Sequence, residues 1–519
     1  MVICLTGFSC TGKTTTSRFI ASHFNYSHIS VREISHSLAQ IHGYSRTREW
    51  LEAVSIDTYL WYCREAIMEK IMDSAENYII DDMFDLMLWQ EIKNNYDSIL
   101  IAFTLPEQIR TSRMGCREGK DTVASKQELE FLDGYKQIFG INTVMELANI
   151  TIDVTDKGPS ELADILYQSA CNYTSETVFY SELNSFRSVI DKAISGNHVI
   201  SLLHDFNTIP FIKQYTDAFL KYCEGGKRIR AYLVKLGCDL TGETCDEKII
   251  APALSYELFQ AGVLIHDDII DESTTRRNNP TMHIMLGNNH NAVSKAICIG
   301  DLGIFLSTEI ISNSKYDKIL INRAINHQMK IFKLTIAGEL KDIELSDKTD
   351  YSFKDIIEMY QLKTSWYTII GPLQLGAILG GATQELLELI EVAGSAMGVA
   401  FQIKDDIIGV FGDETVIGKS NLSDIQEGKK TVLTEYFLNH ATVEEQEQFN
   451  KYYGNKQSGV AELAIIRNLM LVSGSLNYAE KLCNDYIEKA KACIYEIPTS
   501  HYCKRVLIGF LGFLNNRQY

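Results

Sequence analysis

The hydrophobic rhythm of the chain changes once, near residue 178. Before that point, short apolar runs alternate with stretches of helical spacing. Val2-Ile3-Cys4-Leu5 and residues 27–30, 78–80, 98–103 and 150–154 read as strands. Strands alternating with helices predict an α/β domain, a parallel sheet covered by helices. Asp156-Lys157-Gly158-Pro159-Ser160 reads as a turn and helix start, with a last helix over 160–170 and a polar stretch after it. From about 178 onward, apolar residues recur at three- and four-residue spacing, prolines are few and β-alternation is weak. That pattern predicts an all-α domain of many helices. The expected organisation is therefore multidomain, with an α/β domain over 1–170, a linker over 171–177 and an all-α domain over 178–519. Neither an internal repeat nor a low-complexity tract is visible.

Composition narrows the partners. A chain of 519 residues is too long for one ordinary domain. The formal net charge of −18 argues against nucleic acid or an anionic membrane surface, because both attract basic proteins. The twelve cysteines are scattered, with no CxxC pair and no Cys/His metal spacing, as expected in a reducing cytosol. No secretory signal is apparent at the N-terminus. The longest apolar run, 366–382, contains Gly371-Pro372 and falls short of a membrane span. A soluble, cytoplasmic protein without an integral membrane segment is expected.

The first chemical motif is Gly7-Phe8-Ser9-Cys10-Thr11-Gly12-Lys13-Thr14, followed by a helical run to about Phe24. It is GxxxxGK[ST] in the strand–loop–helix setting that the motif requires. The glycines Gly7 and Gly12 let backbone N–H groups wrap a phosphate at a helix N-terminus. Lys13 would reach the β/γ-phosphates and Thr14 would ligate Mg²⁺, with Thr15 completing the nucleotide-binding set. Arg110, Arg113 and Arg117 recur after the fourth strand, either as a phosphate-clamping lid or as a solvated face. Residues 1–170 resemble the P-loop nucleoside and nucleotide kinases, near adenylate kinase and dephospho-coenzyme A kinase. The resemblance implies ATP as ligand, Arg32 as an acceptor-binding residue, and Asp81 or Asp82 at the metal's water shell or the acceptor hydroxyl. The alternative for those two is a capping or solvated carboxylate. The phosphate acceptor is left open.

The second half carries two acidic stretches. Leu264-Ile265-His266-Asp267-Asp268-Ile269-Ile270-Asp271 precedes Arg276-Arg277. On a helix Asp267 and Asp271 lie one turn apart on one face, where two carboxylates repel unless a cation sits between them. Mg²⁺ takes one or two carboxylates and fills its remaining positions with water and substrate phosphate. The arginines suit phosphate oxygens. A solvated acidic helix end is the bland alternative. It is weakened by Phe401-Gln402-Ile403-Lys404-Asp405-Asp406-Ile407-Ile408-Gly409, then Gly418-Lys419, Asp424 and Glu427-Gly428-Lys429, a second apolar helix that delivers an Asp pair followed by lysines. Two such helices face to face would hold a diphosphate.

With Gly225-Gly226-Lys227-Arg228-Ile229-Arg230 and Lys363-Thr364 added, residues 178–519 resemble the trans-isoprenyl diphosphate synthases of the polyprenyl synthetase family. The resemblance implies the all-α isoprenoid synthase fold, a homodimer, and allylic diphosphate and isopentenyl diphosphate as substrates. Asp267, Asp271 and Asp405 would bind Mg²⁺, flanked by Asp268 and Asp406. Arg276, Lys363, Lys404 and Lys419 would neutralise the leaving diphosphate. Lys363, Thr364 and Gln402 would stabilise the allylic cation. Lys227, Arg230, Gln260 and Arg277 would hold isopentenyl diphosphate. Three positions depart from the family pattern. Gly409 replaces a third Asp, Gln260 stands where a His is common, and Glu339-Leu340-Lys341-Asp342 replaces a Gln-containing motif, so no site role is expected for Glu339. Gly262 and Val263, one turn before the first acidic stretch, are too small to floor a tail cavity, which leaves Phe259, with Tyr256 below it. The expected product is longer than fifteen carbons, most simply geranylgeranyl diphosphate. The rival expectations are a class I terpene cyclase and a non-catalytic scaffold subunit.

Overall fold

The computed structural model describes the chain apart from residues 73–76, 120, 244–246, 347, 349, 413–420 and 517–519. The chain divides into two units, Met1–Thr177 with Ser500–Arg505, and Val178–Thr499 with Val506–Tyr519.

In the first unit five strands form one sheet: β1 (Val2–Thr6), β2 (Ser27–Ile29), β3 (Tyr78–Ile80), β4 (Ser98–Thr104) and β5 (Ile150–Asp153). Their order is β2-β3-β1-β4-β5 and every pairing is parallel. The central strands are buried on both faces, so their sequences read as unbroken apolar runs. Val2, Cys4, Ile80 and Leu100 pack with Trp50, Ile67 and Trp89 on one side. Ile3, Leu5, Ile79 and Ile99 pack with Ile20, Leu162 and Leu166 on the other. β1 pairs with β3 on one edge and β4 on the other. The loop at its carboxyl end therefore opens at the switch point where open parallel sheets bind ligands.

The stretch 171–177, expected as a linker, is largely helical. One helix spans Pro159–Asn172 and the next Ser175–Ile194. The polar residues between them act as a cap, with the Thr177 N–H donating to Thr174 Oγ1 at 3.3 Å. In addition, Ser500–Arg505 groups with the first unit, where Arg505 pairs with Asp97 at 2.6 Å.

The second unit is helical, with one two-residue antiparallel ribbon, Thr275–Arg276 against Asn279–Pro280. Its centre contains the helices Ile250–Ile270, His290–Ser312, Lys318–Ser346 and Gln384–Phe411. Gly262 faces its neighbour helix. A Cβ there would stand 2.6 Å from the Gly300 carbonyl oxygen, so its bareness lets two helices touch. The apolar run 366–382 continues from a π-helical segment, Gln361–Ile370, into the helix Gly371–Leu379. Glu247–Ile270 and Gln384–Phe411 are long and apolar enough to cross a membrane. In each, 67% of the apolar window is buried in the fold, as in a core helix.

Candidate active site

The helix Ile250–Ile270 delivers Asp267 and Asp268 at its end and has Asp271 as its C-cap. From the short ribbon, Arg276 donates Nη2 to Asp267 at 2.7 Å and Nε to Asp268 at 2.6 Å. Tyr222 donates its hydroxyl to the other Asp268 oxygen at 2.5 Å. Asp268, expected among the catalytic carboxylates, is thus fully buried and satisfied within the wall, while Asp267 stays part-exposed. Burial pushes the Asp268 carboxyl up, against the opposing pull of Arg276 and Tyr222. Burial also acts to lower Arg276, but the two carboxylates outweigh it and its pKa rises.

The second acidic stretch lies near the end of Gln384–Phe411. Asp406 is buried and accepts hydrogen bonds from the Tyr360 hydroxyl and, at 2.9 Å, from Gln402 Nε2. Burial raises its pKa to about 7. Asp405 is the more exposed of the pair. Gln402 Oε1 accepts the Thr364 hydroxyl at 2.5 Å, so Thr364, Gln402, Asp406 and Tyr360 form one hydrogen-bonded chain. Thr364 and Lys363 sit in the π-helical segment, a distortion that clusters at functional sites. Lys363 Nζ pairs with Asp342 at 2.6 Å and Glu339 at 3.0 Å. Burial alone would lower this lysine; Asp342, Glu339 and Asp267 together raise it. Glu339, for which no site role is expected, thus lies against the Lys363 ammonium. Lys429 pairs with Asp424 and Glu427, both at 3.1 Å, and its charge also faces Asp271 and Asp342.

The glycine-rich turn forms a third cation group. Gly226, at φ 91°, lies under the Arg277 guanidinium, which would stand 3.2 Å from any Cβ added there. Arg277 donates to the Glu224 carbonyl at 3.3 Å. Gln260 lines a small cavity with Tyr222, Arg228, Glu257 and Arg277. Arg230 lies 4.1 Å over the Tyr367 ring and donates to Thr368 Oγ1 at 2.8 Å, while its buried Nε has no protein partner. Lys227 stands 5.5 Å from the Phe513 ring. Arg228 is buried between Asp191 at 2.8 Å and Glu257 at 3.0 Å. Lys404 lies near Cys483. Lys419 falls outside the described residues.

Deeper along the helix, Phe259 is buried and stacks on Phe332, with centroids 3.4 Å apart and planes at 3°. Tyr367 meets it edge-on at 5.8 Å. Arg230, Tyr367, Phe259 and Phe332 thus form a continuous line from the cation group into the core.

The first unit has its own charged loop. Gly7, at φ 136°, approaches the Phe103 carbonyl too closely for any side chain, and Gly12 has φ 96°. Lys13 Nζ donates to the carbonyls of Gly7 at 2.6 Å and Phe8 at 2.9 Å, and lies 3.3 Å from Asp82. Burial lowers its pKa to about 8, with Asp82 opposing. Lys136 pairs with Asp82 at 2.8 Å. Asp81 accepts the Val31 N–H at 3.0 Å, lies 3.2 Å from His28 and interacts with the Thr14 hydroxyl. Thr14, Thr15 and Arg32 are exposed. Asp133 accepts the Ser9 N–H at 3.0 Å and pairs with Arg110. Arg113 reaches toward Gly12, whereas Arg117 pairs with Glu118 at 2.8 Å. Tyr222, Tyr360, Lys136 and Asp133 were not singled out by spacing, because each reaches its neighbours from a distant segment without a local motif.

The profile of the polyprenyl synthetase family matches residues 212–470. A geranylgeranyl diphosphate synthase from Sulfolobus acidocaldarius is 30% identical over 323 residues, 62% of this chain and 89% of that enzyme. A geranylfarnesyl diphosphate synthase from Aeropyrum pernix is 30% identical over 55% of this chain and 88% of its own length. Among solved structures, a geranylgeranyl pyrophosphate synthase from Corynebacterium glutamicum, complexed with isoprenyl diphosphate and magnesium, aligns with a TM-score of 0.61 at 27% identity. The alignment covers 64% of this chain and 99% of that one. The enzyme from Pyrococcus horikoshii aligns with a TM-score of 0.55 at 26% identity, over 66% and 99%.

Proposed function

The chain belongs to the polyprenyl synthetase family, and from that premise we propose that its helical unit condenses isopentenyl diphosphate with an allylic diphosphate to give a longer trans-prenyl diphosphate. The observation that carries this reading is a set of cations around the first acidic helix end: Arg276 pairs with it directly, while Lys363, paired with Asp342, and Lys429, paired with Asp424, also face its charge. These cations neutralise the carboxylates around them.

The donor set suits Mg²⁺. Carboxylate oxygens are hard ligands, and among the described residues no three metal-binding side chains form a closed cage. An ion completed by water and substrate phosphate needs no such cage. Asp267 and Asp271 would hold two such ions and Asp405 a third, and these would supply charge neutralisation for the departing diphosphate. Arg276, Lys363 and Lys429 meet the rest of that charge. The allylic C–O bond breaks and its electron pair leaves with pyrophosphate. The carbonyls of Lys363 and Thr364 and the Gln402 amide oxygen face the allylic cation. Lys227, Arg230 and Arg277 bind isopentenyl diphosphate, with Gln260 at their edge. Its double bond then attacks the cation. A proton leaves to the pyrophosphate, so no protein base is required.

Geranylgeranyl diphosphate is the product this account favours, since Phe259 is the first large side chain deeper than the first acidic stretch. A homodimer formed by the helical unit is part of the same reading. In the first unit, Gly7, Gly12, Lys13, Thr14 and Thr15 bind the phosphates of ATP and its Mg²⁺, and the unit passes a phosphoryl group to an acceptor still to be identified. The test of the synthase is consumption of isopentenyl diphosphate, which stops on addition of a chelator. Turnover of the allylic diphosphate alone to pyrophosphate and a hydrocarbon would instead mark a cyclase.

A further inference from the structure

We propose that Glu339 makes diphosphate binding in the helical unit conditional on Mg²⁺. Its carboxylate ties down the Lys363 ammonium and adds negative charge near Asp267, so that the site favours the metal and turns away a bare diphosphate. The inference rests on the reading of this unit as a Mg²⁺-dependent synthase.

Gly338 and Glu339 lie on the helix Lys318–Ser346. A Cβ built on Gly338 would stand 2.2 Å from the Lys363 backbone nitrogen and 2.5 Å from its Cα, so the bare glycine lets this helix lie directly on the π-helical segment. That contact sets the next residue, Glu339, against the Lys363 side chain. Lys363 Nζ donates to Glu339 Oε1 at 3.2 Å and lies 3.0 Å from its Oε2. Asp342, about one turn further along the helix, accepts from the same ammonium at 2.6 Å. One cation thus serves both oxygens of one carboxylate and an oxygen of another.

The local charge does not balance. The Lys363 ammonium faces Asp342, Glu339 and Asp267. Lys341, between the first two in sequence, turns instead to Asp355 at 3.5 Å and to Glu358. Lys429, another cation near Lys363, is held by Asp424 and Glu427. Burial pushes the Glu339 carboxyl up, and Asp267 and Asp342 add to this against the pull of Lys363. A metal ion at Asp267 would relieve that repulsion. A diphosphate arriving without one meets the same carboxylates, and a lysine already engaged by two of them. An uncharged residue of the same shape at 339 would remove one repulsion and release part of the ammonium to phosphate. Glu339 acts through Lys363 and Asp267 as a positioning residue. Its effect is a coupling between two ligands, and such a coupling is reciprocal.

Two calorimetric titrations of the full chain test the proposal without requiring turnover, one with Mg²⁺ alone and one with inorganic pyrophosphate in the presence of a chelator. Each is read as the difference between a variant and the unsubstituted chain, so that any binding at the first unit cancels. Glu339→Gln is expected to weaken Mg²⁺ binding about fivefold and to tighten metal-free pyrophosphate binding about tenfold. Glu339→Asp, which keeps the charge, is expected to resemble the unsubstituted chain in both. The opposite signs are the signature, because a merely structural role would weaken both or neither. In Glu339→Gln, a failure to tighten pyrophosphate or a failure to weaken Mg²⁺ would overturn the proposal. So would the same behaviour in Glu339→Asp as in Glu339→Gln, which would trace the effect to shape instead of charge. If the unsubstituted protein binds no pyrophosphate even with Mg²⁺, the synthase reading itself falls, and the inference falls with it.

Discussion

Arg228 separates what a motif announces from what a residue does. It stands among basic residues expected to meet diphosphate, yet its guanidinium is buried between Asp191, Glu257 and the Cys223 carbonyl. Its neighbours Lys227 and Arg230 are the ones proposed to bind substrate. Removing one partner of a buried, hydrogen-bonded charge group strands the others without compensation. Arg228→Met is therefore expected to cost about 3–5 kcal/mol of stability, read by chemical denaturation. A change well under about 1 kcal/mol would show that the pair is effectively solvated. The same distinction holds for Asp267 and Asp268. The sequence pattern marks both, and only the contacts of Tyr222 and Arg276 show that one faces the site while its neighbour anchors the wall.

At the scale of elements, the strands and the helical character of the second half were legible, because a buried parallel sheet and an amphipathic helix each impose a period. The π-helical turn at Lys363-Thr364 was not, since its register depends on packing against other helices. Nor were the capping role of Thr174 and the approach of the helix Thr122–Ile138 to the glycine-bearing loop after β1, where Asp133 meets the Ser9 N–H. On the proposed nucleotide reading, that carboxylate takes the Ser9 N–H that a phosphate oxygen would otherwise accept. Asp133→Asn is expected to tighten ATP binding about tenfold in calorimetry, and unchanged affinity would show that the contact is incidental. In the helical unit, Phe259 and Phe332 form a stacked pair across two helices. Phe259→Ala is expected to lengthen the prenyl product and to cost about 3–5 kcal/mol of stability through the cavity left behind. An unchanged product length would place the floor of the tail cavity elsewhere.

For the whole molecule, the sequence carried the division into an α/β part and a helical part, because the two obey different hydrophobic periods. The grouping of Ser500–Arg505 with the first unit left no trace in that pattern, since it depends on Arg505 meeting Asp97. The chemistry proposed for the helical unit needs only two diphosphates and Mg²⁺, and nothing in it calls for ATP. The most direct measurement incubates the purified chain with Mg²⁺, isopentenyl diphosphate and each allylic primer in turn, with and without ATP, and determines the product chain length. The account predicts a twenty-carbon diphosphate formed at the same rate whether or not ATP is present. Absence of elongation with every primer would contradict it.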